Sequence, residues 1–364
     1  MRVVIAGGGT GGHLFPGLAV ARALKARVPD SQISFAGTPV GIEARVIPTT
    51  EFALDFIRSA GLKGKSGAAR LRGAMLVPLS GVDAWRLISR RRPDVVIGVG
   101  GYSSGPVVAL AALRGVPTMV LEQNAVPGLT NRLLARFVRR AAVTYDASLK
   151  YFGSKGFVSG NPVRPGFLEV DDDPSYDTAT NSRVRVLVFG GSQGAHAINV
   201  AMVEAAPRLA GAPATLDLVC QTGARDFEMV RAAFERYGVQ GRVERFIDEM
   251  DREMKAAGLV VSRAGATTLA ELMAAGRPAI LIPLPTATDD HQRRNARALE
   301  EAGAAEVIEQ TDLNGERLAG RIIALAGDHA LRRRMSAAAR QLAKPRAAEE
   351  IVDEVIKMTE RRHS

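Results

Sequence analysis

The 364-residue sequence has one cysteine, only 5% aromatic residues and no long apolar run. The single Cys220 cannot form an internal disulfide, and its apolar surroundings (LDLVCQTG) predict a buried strand thiol. No apolar run reaches the roughly 18 residues that a bilayer-spanning helix requires. The chain opens on a strand pattern rather than a signal peptide, so we expect a reducing, cytoplasmic setting.

The sequence gives little support for a metal site or for nucleophilic catalysis. Its five histidines are scattered, without the spacing of metal ligands. The run Asp171–Asp173 resembles a D-x-D metal motif, but it falls in a stretch rich in Pro, Gly and Asp, which favours a solvated acidic turn. Cys220 lies in mid-strand, which gives little support for nucleophilic catalysis. We therefore expect neither a metal nor another cofactor.

The positive charge is unevenly distributed. The formal net charge is +10, of which residues 1–164 carry +14 and residues 165–364 carry −4. A one-sided basic surface is typical of proteins that bind nucleic acid, anionic lipid or an anionic substrate. An ordinary solvated face is the alternative interpretation.

Strand and helix patterns alternate along the whole chain, with five strands predicted in each half. This alternation predicts an α/β fold with two doubly wound parallel sheets. The stretch 163–183 is rich in Pro, Gly, Asp and Ser, and we place the domain boundary there. A last helix, near 347–361, is expected to return to the first domain. The predicted domains are thus 1–163 with 345–364, and 164–344.

Two similar turns, 183 residues apart, are the most informative feature of the chain. We call residues 7–12 in VVIAGGGTGGH the first glycine turn, and residues 190–194 in VLVFGGSQGAH the second glycine turn. Each follows a β-branched strand and opens a helix, where free backbone N–H groups suit a phosphate. Ligands of doubly wound sheets bind at the carboxyl ends of the strands, so both turns are predicted to line an interdomain cleft.

The first glycine turn formally contains G-x-G-x-x-G, a weak signal for a dinucleotide. An NAD site also needs an acid at the end of the second strand, and none occurs before Glu43. His13 lies at the start of the following helix, where it could act as a base because a positive helix end favours the neutral imidazole. A histidine that only caps or packs there is the alternative.

The second half offers groups suited to a sugar nucleotide. Ser192 in the second glycine turn suits a diphosphate, although a turn without a ligand has the same pattern. In SRAGATTLAE, Glu271 lies in the second turn of a helix and could accept hydrogen bonds from a ribose diol, or be an ordinary surface carboxylate. The polar helix start DDHQRRN could bind sugar hydroxyls, or be a solvated first turn.

A segment near residues 62–86 mixes apolar and basic residues. It contains Lys63, Lys65, Arg70 and Arg72 beside Met75, Leu76, Val77, Leu79 and the only tryptophan, Trp85. Apolar side chains surrounded by basic ones suit an anionic membrane surface. An ordinary loop and helix is the alternative.

Taken together, the motifs resemble the MurG family of bacterial peptidoglycan glycosyltransferases. The resemblance runs nearly end to end, through GGGTGGHLFPGLA, GGYSSGP, EQNAVPGLTN, GNPVR, GGSQGAHAIN, FIDEM, SRAGATTLAE and HQRRNA. It implies a GT-B fold of two facing Rossmann-like domains. It also implies a hexosyltransferase that moves N-acetylglucosamine, with inversion, from UDP-N-acetylglucosamine to the C4 hydroxyl of N-acetylmuramic acid in lipid I (undecaprenyl-pyrophosphoryl-N-acetylmuramoyl-pentapeptide), giving lipid II for peptidoglycan synthesis.

The resemblance assigns His13 as the catalytic base or an acceptor-site residue. The remaining implied substrate contacts are Thr10, Gly11 and Gly12 near donor and acceptor, Asn124 at the sugar, Arg164 and Ser192 at the nucleotide, Ile247 at the uracil through its backbone, Ala266, Thr267, Thr268, Leu269, Ala270 and Glu271 around the nucleotide sugar, and Gln292 at the N-acetylglucosamine hydroxyls. The family often has His where this chain has Leu121, and commonly Gln where it has His291.

The resemblance further implies a peripheral protein at the cytoplasmic face of the bacterial inner membrane, with a role in cell shape and division. Its implied partners are UDP-N-acetylglucosamine, lipid I, an anionic membrane surface and a cell-wall synthesis complex, without nucleic acid. The first domain would bind the acceptor and membrane, and the second the donor. Another GT-B glycosyltransferase of membrane lipids, or a UDP-N-acetylglucosamine 2-epimerase, is the alternative function.

Overall fold

A computed structural model of the protein describes residues 1–59, 67–168, 183–191, 194–212, 215–287 and 290–363, with the side chains of 67–77, 215 and 361–363 left out. The chain forms two compact units. Unit 1 comprises Met1–Arg164 and Lys344–Ser364, and unit 2 comprises Pro165–Ala343.

Unit 1 contains a parallel sheet. Its described strands are β1 (Arg2–Gly7), β2 (Gln32–Gly37), β3 (Ala53–Phe56), β4 (Val95–Gly100), β5 (Thr118–Glu122), β6 (Arg140–Val143) and β7 (Gly156–Val158). They pair in the order β3-β2-β1-β4-β5-β6-β7. Strand β4 reads VVIGVG and is buried at every position, as expected for a strand covered on both faces.

Helices cover both faces of this sheet. They are α1 (Gly11–Arg27), α2 (Glu43–Val46), α3 (Gly67–Arg91), α4 (Ser104–Leu113), α5 (Leu129–Leu134) and α13 (Ala347–His363). One hydrophobic core combines Leu14 and Leu18 of α1 with Ile351 and Val355 of α13. The opposite face buries residues of α3 and α4. The C-terminal helix therefore packs on α1, although residues 165–343 separate its segment from the rest of unit 1 in the sequence.

Unit 2 repeats this architecture. Its described strands are β8 (Arg183–Phe189), β9 (Thr215–Gln221), β10 (Gly241–Glu244), β11 (Leu259–Ser262), β12 (Ala279–Leu281) and β13 (Ala305–Val307). They pair, again in parallel, in the order β10-β9-β8-β11-β12-β13.

The helices of unit 2 enclose its sheet. They are α6 (His196–Ala210), α7 (Phe227–Tyr237), α8 (Met250–Ala256), α9 (Ala266–Ala275), α10 (His291–Glu301), α11 (Gly315–Gly327) and α12 (His329–Leu342). The core includes Val186 and Val188 of β8 together with Met202 of α6 and Ile322 of α11. In both units the glycine turn joins a central strand to the following helix.

The predicted α/β class is confirmed, with differences at short elements. Strands β3, β7 and β13 were not predicted. Helix α3 begins at Gly67, whereas the sequence pattern predicts a helix only from 83. None of the described helices combines the length and the apolar character needed to cross a bilayer.

Candidate active site

A buried carboxylate from outside the first glycine turn binds to it. Glu43, which is fully buried, accepts hydrogen bonds from the backbone N–H of Gly9 (2.7 Å), the backbone N–H of Thr38 (2.7 Å) and the Thr38 hydroxyl (3.0 Å). Gly8 has φ +145°, and a Cβ there would collide with the same carboxylate. The expectation that this turn presents free amides is therefore wrong for Gly9, because an internal anion already occupies it.

The other predicted residues of this turn begin helix α1. Thr10 is extended at the N-cap, with φ −133°, and its carbonyl accepts from the amides of His13 and Leu14 (both 3.2 Å). Gly11 and Gly12 form the first two positions of the helix and are half-buried. Their place puts them at the carboxyl end of β1.

His13 lies between the first glycine turn and the ends of β4 and β5. Its Nδ1 is buried, and a Cβ at Gly100 would lie 2.6 Å from that nitrogen. Burial lowers the pKa of His13 below its ordinary value. The nearby Glu122 carboxylate, the Gln123 side chain, the Val99 carbonyl and, least, Glu43 raise that pKa without reversing the effect. Burial therefore favours the neutral form of the ring, which is the form that a general base needs.

Glu122 organises the segment that carries Asn124. Its buried carboxylate accepts from the backbone N–H (3.0 Å) and Nδ2 (3.1 Å) of Asn124, the amide of Gly128 (3.0 Å) and Nδ2 of Asn131 (2.8 Å). Asn124 is thereby fixed beside β5, two positions across the sheet from β1. Glu122 and Asn131 lie inside the EQNAVPGLTN motif, which was the available signal, but only Asn124 was predicted as a site residue.

Arg164 is the last residue of the first segment of unit 1. Its guanidinium carbon lies 4.9 Å from the centroid of the Phe15 ring in a cation–π contact. Phe15 belongs to α1, two residues after His13. The structure therefore places the Arg164 side chain against α1, the helix that follows the first glycine turn.

The second glycine turn is shaped by the end of β9. Gly194 has φ +77°, and a Cβ there would collide with the Thr222 carbonyl. The Gly191 carbonyl accepts a hydrogen bond from Nε2 of Gln221 (2.9 Å). Ser192, predicted at the diphosphate, lies outside the described residues, so its role stays a prediction.

Ile247 follows β10 and is buried, with 8% of its surface exposed. Its backbone N–H donates to Oε1 of Gln221 (2.8 Å). The Ile247 backbone is predicted to contact uracil, but its N–H already has a hydrogen-bond partner within the protein. Within the described part of the chain no hydrogen bond involves the Ile247 carbonyl.

Helix α9 contains six predicted contact residues, which differ in what they expose. Ala266, Thr267 and Thr268 form its first turn. The Leu269 side chain is fully buried and its amide bonds to the Gly265 carbonyl (3.0 Å), so Leu269 offers no obvious group to a ligand. Ala270 is buried as well, and Glu271 is only 5% exposed.

Gln292 lies in the first turn of α10. Its Oε1 accepts from the backbone N–H of Leu284 (3.0 Å) and of Ala264 (3.2 Å). These bonds connect the start of α10 to the residue Ala264 before α9 and to Leu284 after β12. They leave Nε2 as the group with which Gln292 could bind a sugar. The neighbouring His291 is buried, at 9% exposure, so its side chain belongs mainly to the fold.

A histidine–aspartate pair near the second glycine turn was not predicted. Nδ1 of His196, the first residue of α6, lies 3.0 Å from Oδ1 of Asp226, and Asn199 donates to the same carboxylate (2.9 Å). Although desolvation opposes it, bonding to Asn199 and His196 lowers the pKa of Asp226.

Burial raises the pKa of Cys220 to about 12, which removes it as a nucleophile.

The predicted site residues thus form one group in each unit. Unit 1 brings the first glycine turn, His13 and Asn124 to the carboxyl ends of β1, β4 and β5. Unit 2 brings Ile247, α9 and Gln292 to the ends of β10, β11 and β12. Among the described residues, no three His, Cys, Asp or Glu side chains are grouped so as to hold a metal ion.

Comparisons with known proteins agree over both units. The N-terminal domain model of glycosyltransferase family 28 matches residues 3–143, and the C-terminal domain model matches 185–351. A protein of Anaeromyxobacter sp. (strain K), named UDP-N-acetylglucosamine--N-acetylmuramyl-(pentapeptide) pyrophosphoryl-undecaprenol N-acetylglucosamine transferase, is 46% identical over 363 residues, covering 100% of this chain and 94% of that protein. The crystal structure of Acinetobacter baumannii MurG is 30% identical, with a TM-score of 0.79, covering 98% of this chain and 99% of its own.

The chain belongs to the MurG family of glycosyltransferases. Its two Rossmann-like units are those of the GT-B fold, as predicted. A UDP-GlcNAc 2-epimerase from Neisseria meningitidis has a TM-score of 0.68 at 13% identity over 98% of this chain and 100% of its own, which shows a shared fold alone. The full-length identity to transferases places the chain with the MurG family rather than with the epimerases.

Proposed function

We propose that this enzyme transfers N-acetylglucosamine from UDP-N-acetylglucosamine to the C4 hydroxyl of N-acetylmuramic acid in lipid I, forming lipid II. The observation that carries this function is the 46% identity over the whole chain to a transferase named for these substrates. The two groups of site residues are consistent with it, since one contains a neutral histidine and the other a carboxylate suited to a ribose.

His13 is the proposed general base. Its lowered pKa keeps the imidazole neutral, and the burial of Nδ1 leaves Nε2 to take the proton of the acceptor hydroxyl. The acceptor oxygen then attacks the anomeric carbon while the bond to the UDP oxygen breaks. Attack on the face opposite the α-linked UDP gives a β-linked product, so the configuration inverts.

The second glycine turn is the proposed site of the departing diphosphate. Helix α6 begins there, and a helix N-terminus favours a developing negative charge. Ser192 would add a hydroxyl donor. Glu271 would accept hydrogen bonds from the ribose, the Ile247 carbonyl would contact the uracil, and Nε2 of Gln292 would reach the sugar.

A transfer assay tests this function directly. The protein is incubated with radiolabelled UDP-N-acetylglucosamine and a lipid I analogue, and label is measured in the lipid product. We expect label in lipid that depends on the analogue, with a β linkage by NMR. Label that never enters lipid, or conversion of the sugar nucleotide without an acceptor, would contradict the proposed function.

We further propose that unit 1 docks on an anionic membrane at the cytoplasmic face of the inner membrane. Unit 1 carries a net charge of +14 and unit 2 of −4. On α3, the exposed Leu79, Val82 and Trp85 follow one another at three-residue intervals, and the Arg114 guanidinium lies 4.5 Å from the Trp85 ring centroid beside the exposed Leu113. Apolar side chains next to cations suit a bilayer interface.

The predicted basic residues of this region cannot be added to that surface. Lys63 and Lys65 lie outside the described residues, and so do the side chains of Arg70 and Arg72. Trp85 is therefore the residue on which we base the test. We expect Trp85→Ser to weaken sedimentation with phosphatidylglycerol-rich vesicles by roughly tenfold, because it removes a large interfacial side chain. Tyr237→Ser, on unit 2, is the control, and equal partitioning of the two variants would contradict membrane docking by this face.

A further inference from the structure

Gln221 makes two hydrogen bonds that connect separate segments of unit 2. It is the last residue of β9 and is 2% exposed. Its Nε2 donates to the Gly191 carbonyl (2.9 Å), and its Oε1 accepts from the Ile247 backbone N–H (2.8 Å). The buried amide group of Gln221 therefore both donates and accepts a hydrogen bond.

The position of β9 explains why a single side chain reaches both segments. Strand β9 pairs with β8 on one side and with β10 on the other. The second glycine turn follows β8, and Ile247 follows β10. Gln221 therefore bridges the two flanking connections from the carboxyl end of the middle strand.

The bridge depends on an uncharged amide. A glutamate at this position could still accept from Ile247, but it could not donate to the Gly191 carbonyl. An apolar side chain of similar size would leave both backbone groups buried without a partner, which is costly. The residue type therefore determines whether the turn and the Ile247 segment are held together.

We propose that Gln221 is a positioning residue that sets uracil specificity, an inference that rests on the proposed function. By binding the Ile247 N–H, Gln221 leaves only the Ile247 carbonyl to face the base. A carbonyl accepts from the N3–H of uracil, whereas N3 of cytosine is itself an acceptor. By binding Gly191, the same side chain sets the spacing between the base contact and the diphosphate turn.

The test compares Gln221→Met, Gln221→Glu and Cys220→Ala. Cys220 is the neighbouring residue of β9 and is fully buried in the hydrophobic core, so its truncation perturbs the same strand without touching the bridge. Binding of UDP and of CDP is measured by calorimetry. Steady-state kinetics with UDP-N-acetylglucosamine and a lipid I analogue give the two KM values and kcat.

For Gln221→Met we expect UDP affinity to fall about tenfold, with an equal rise in donor KM and little change in acceptor KM or kcat. The preference for UDP over CDP should fall toward unity. Gln221→Glu should weaken UDP binding but retain the preference for uracil, since the bond to Ile247 remains. Cys220→Ala should lower the melting temperature and leave the UDP-to-CDP ratio unchanged.

The possible outcomes distinguish a failure of the Gln221 proposal from a failure of the proposed function. A wild-type protein that does not bind UDP would contradict the proposed function itself. A wild-type protein that binds UDP, together with a Gln221→Met variant of unchanged UDP-to-CDP ratio, would overturn the role of Gln221 alone. If Gln221→Met does not fold, Gln221→Glu decides the matter. Unaltered UDP affinity in that variant would show that the hydrogen bond to Gly191 does not contribute to UDP binding, which would overturn the proposal.

Discussion

The two glycine turns look alike in sequence but differ in charge. Both join a buried parallel strand to a helix, and both contain glycines with positive φ, such as Gly9 (+84°) and Gly191 (+97°). In unit 1 the acid that follows the second strand, Glu43, bonds to the Gly9 amide. In unit 2 the acid in the same topological place, Asp226, bonds to His196 and Asn199 instead.

This difference determines what each turn can bind. Two unit charges about 4 Å apart near a protein surface repel by about 4 kcal/mol, so a diphosphate at the first turn would compete with the Glu43 carboxylate. Neither acid is free for the ribose contact of a dinucleotide site, which argues against NAD in either unit. A glycine pattern thus indicates a turn, and the neighbouring side chains decide whether it is an anion site.

The strongest test of this division of roles is His13→Ala, at the first turn. Removal of a general base typically lowers turnover by about 10²- to 10⁴-fold. We expect kcat to fall within that range while the affinity for UDP, measured by calorimetry, stays close to wild type. A parallel loss of UDP affinity would mean that the first turn also holds the nucleotide.

A second test, of smaller expected effect, is Glu271→Ala on α9. Loss of a charged hydrogen-bond partner of the ribose should raise donor KM by roughly tenfold to a hundredfold, with a smaller effect on acceptor KM. Initial rates over a range of UDP-N-acetylglucosamine give the value. The exposed Glu301→Ala on α10 is the matched control, and unchanged donor kinetics in Glu271→Ala would remove the ribose assignment.

Much of this molecule was predictable because its main signals are local. Strands such as β4 are continuous apolar runs that end in glycine, so their positions and the two turns follow from sequence. The side chains that act on those turns are not local. Glu43 lies 34 residues from Gly9, and Gln221 lies 30 from Gly191 and 26 from Ile247.

No spacing rule links such pairs, because the sheet brings together strand ends that are distant in the chain. From the sequence, Glu43 is only an acid too late for an NAD site, and nothing in the sequence pattern singles out Gln221. The acidic neighbours of His13 likewise could not be predicted, because they come together only where β1, β4 and β5 pair. Sequence therefore located the turns, while the pairing of strands supplied their chemistry.

The smallest expected effect concerns the charge of Glu43 on His13. Glu43 raises the pKa of His13, less than Glu122 does, against the larger lowering by burial. In Glu43→Gln this support is lost, so the pKa of His13 should fall further and the base should stay neutral to lower pH. The acidic limb of the kcat/KM profile should therefore move to lower pH by less than about one unit.

The same substitution also tests how much the hydrogen bonds of Glu43 to Gly9 and Thr38 stabilise the protein. A glutamine can offer one oxygen but not two, so at least one of the bonds from Gly9 and Thr38 is lost, and the free energy of unfolding should fall by about 1–3 kcal/mol. The exposed Glu51→Gln, in the same unit, lacks these bonds and should leave both the profile and the unfolding free energy unchanged. If the acidic limb of Glu43→Gln moved to higher pH, Glu43 would have to act on His13 through the shape of the turn rather than through its charge.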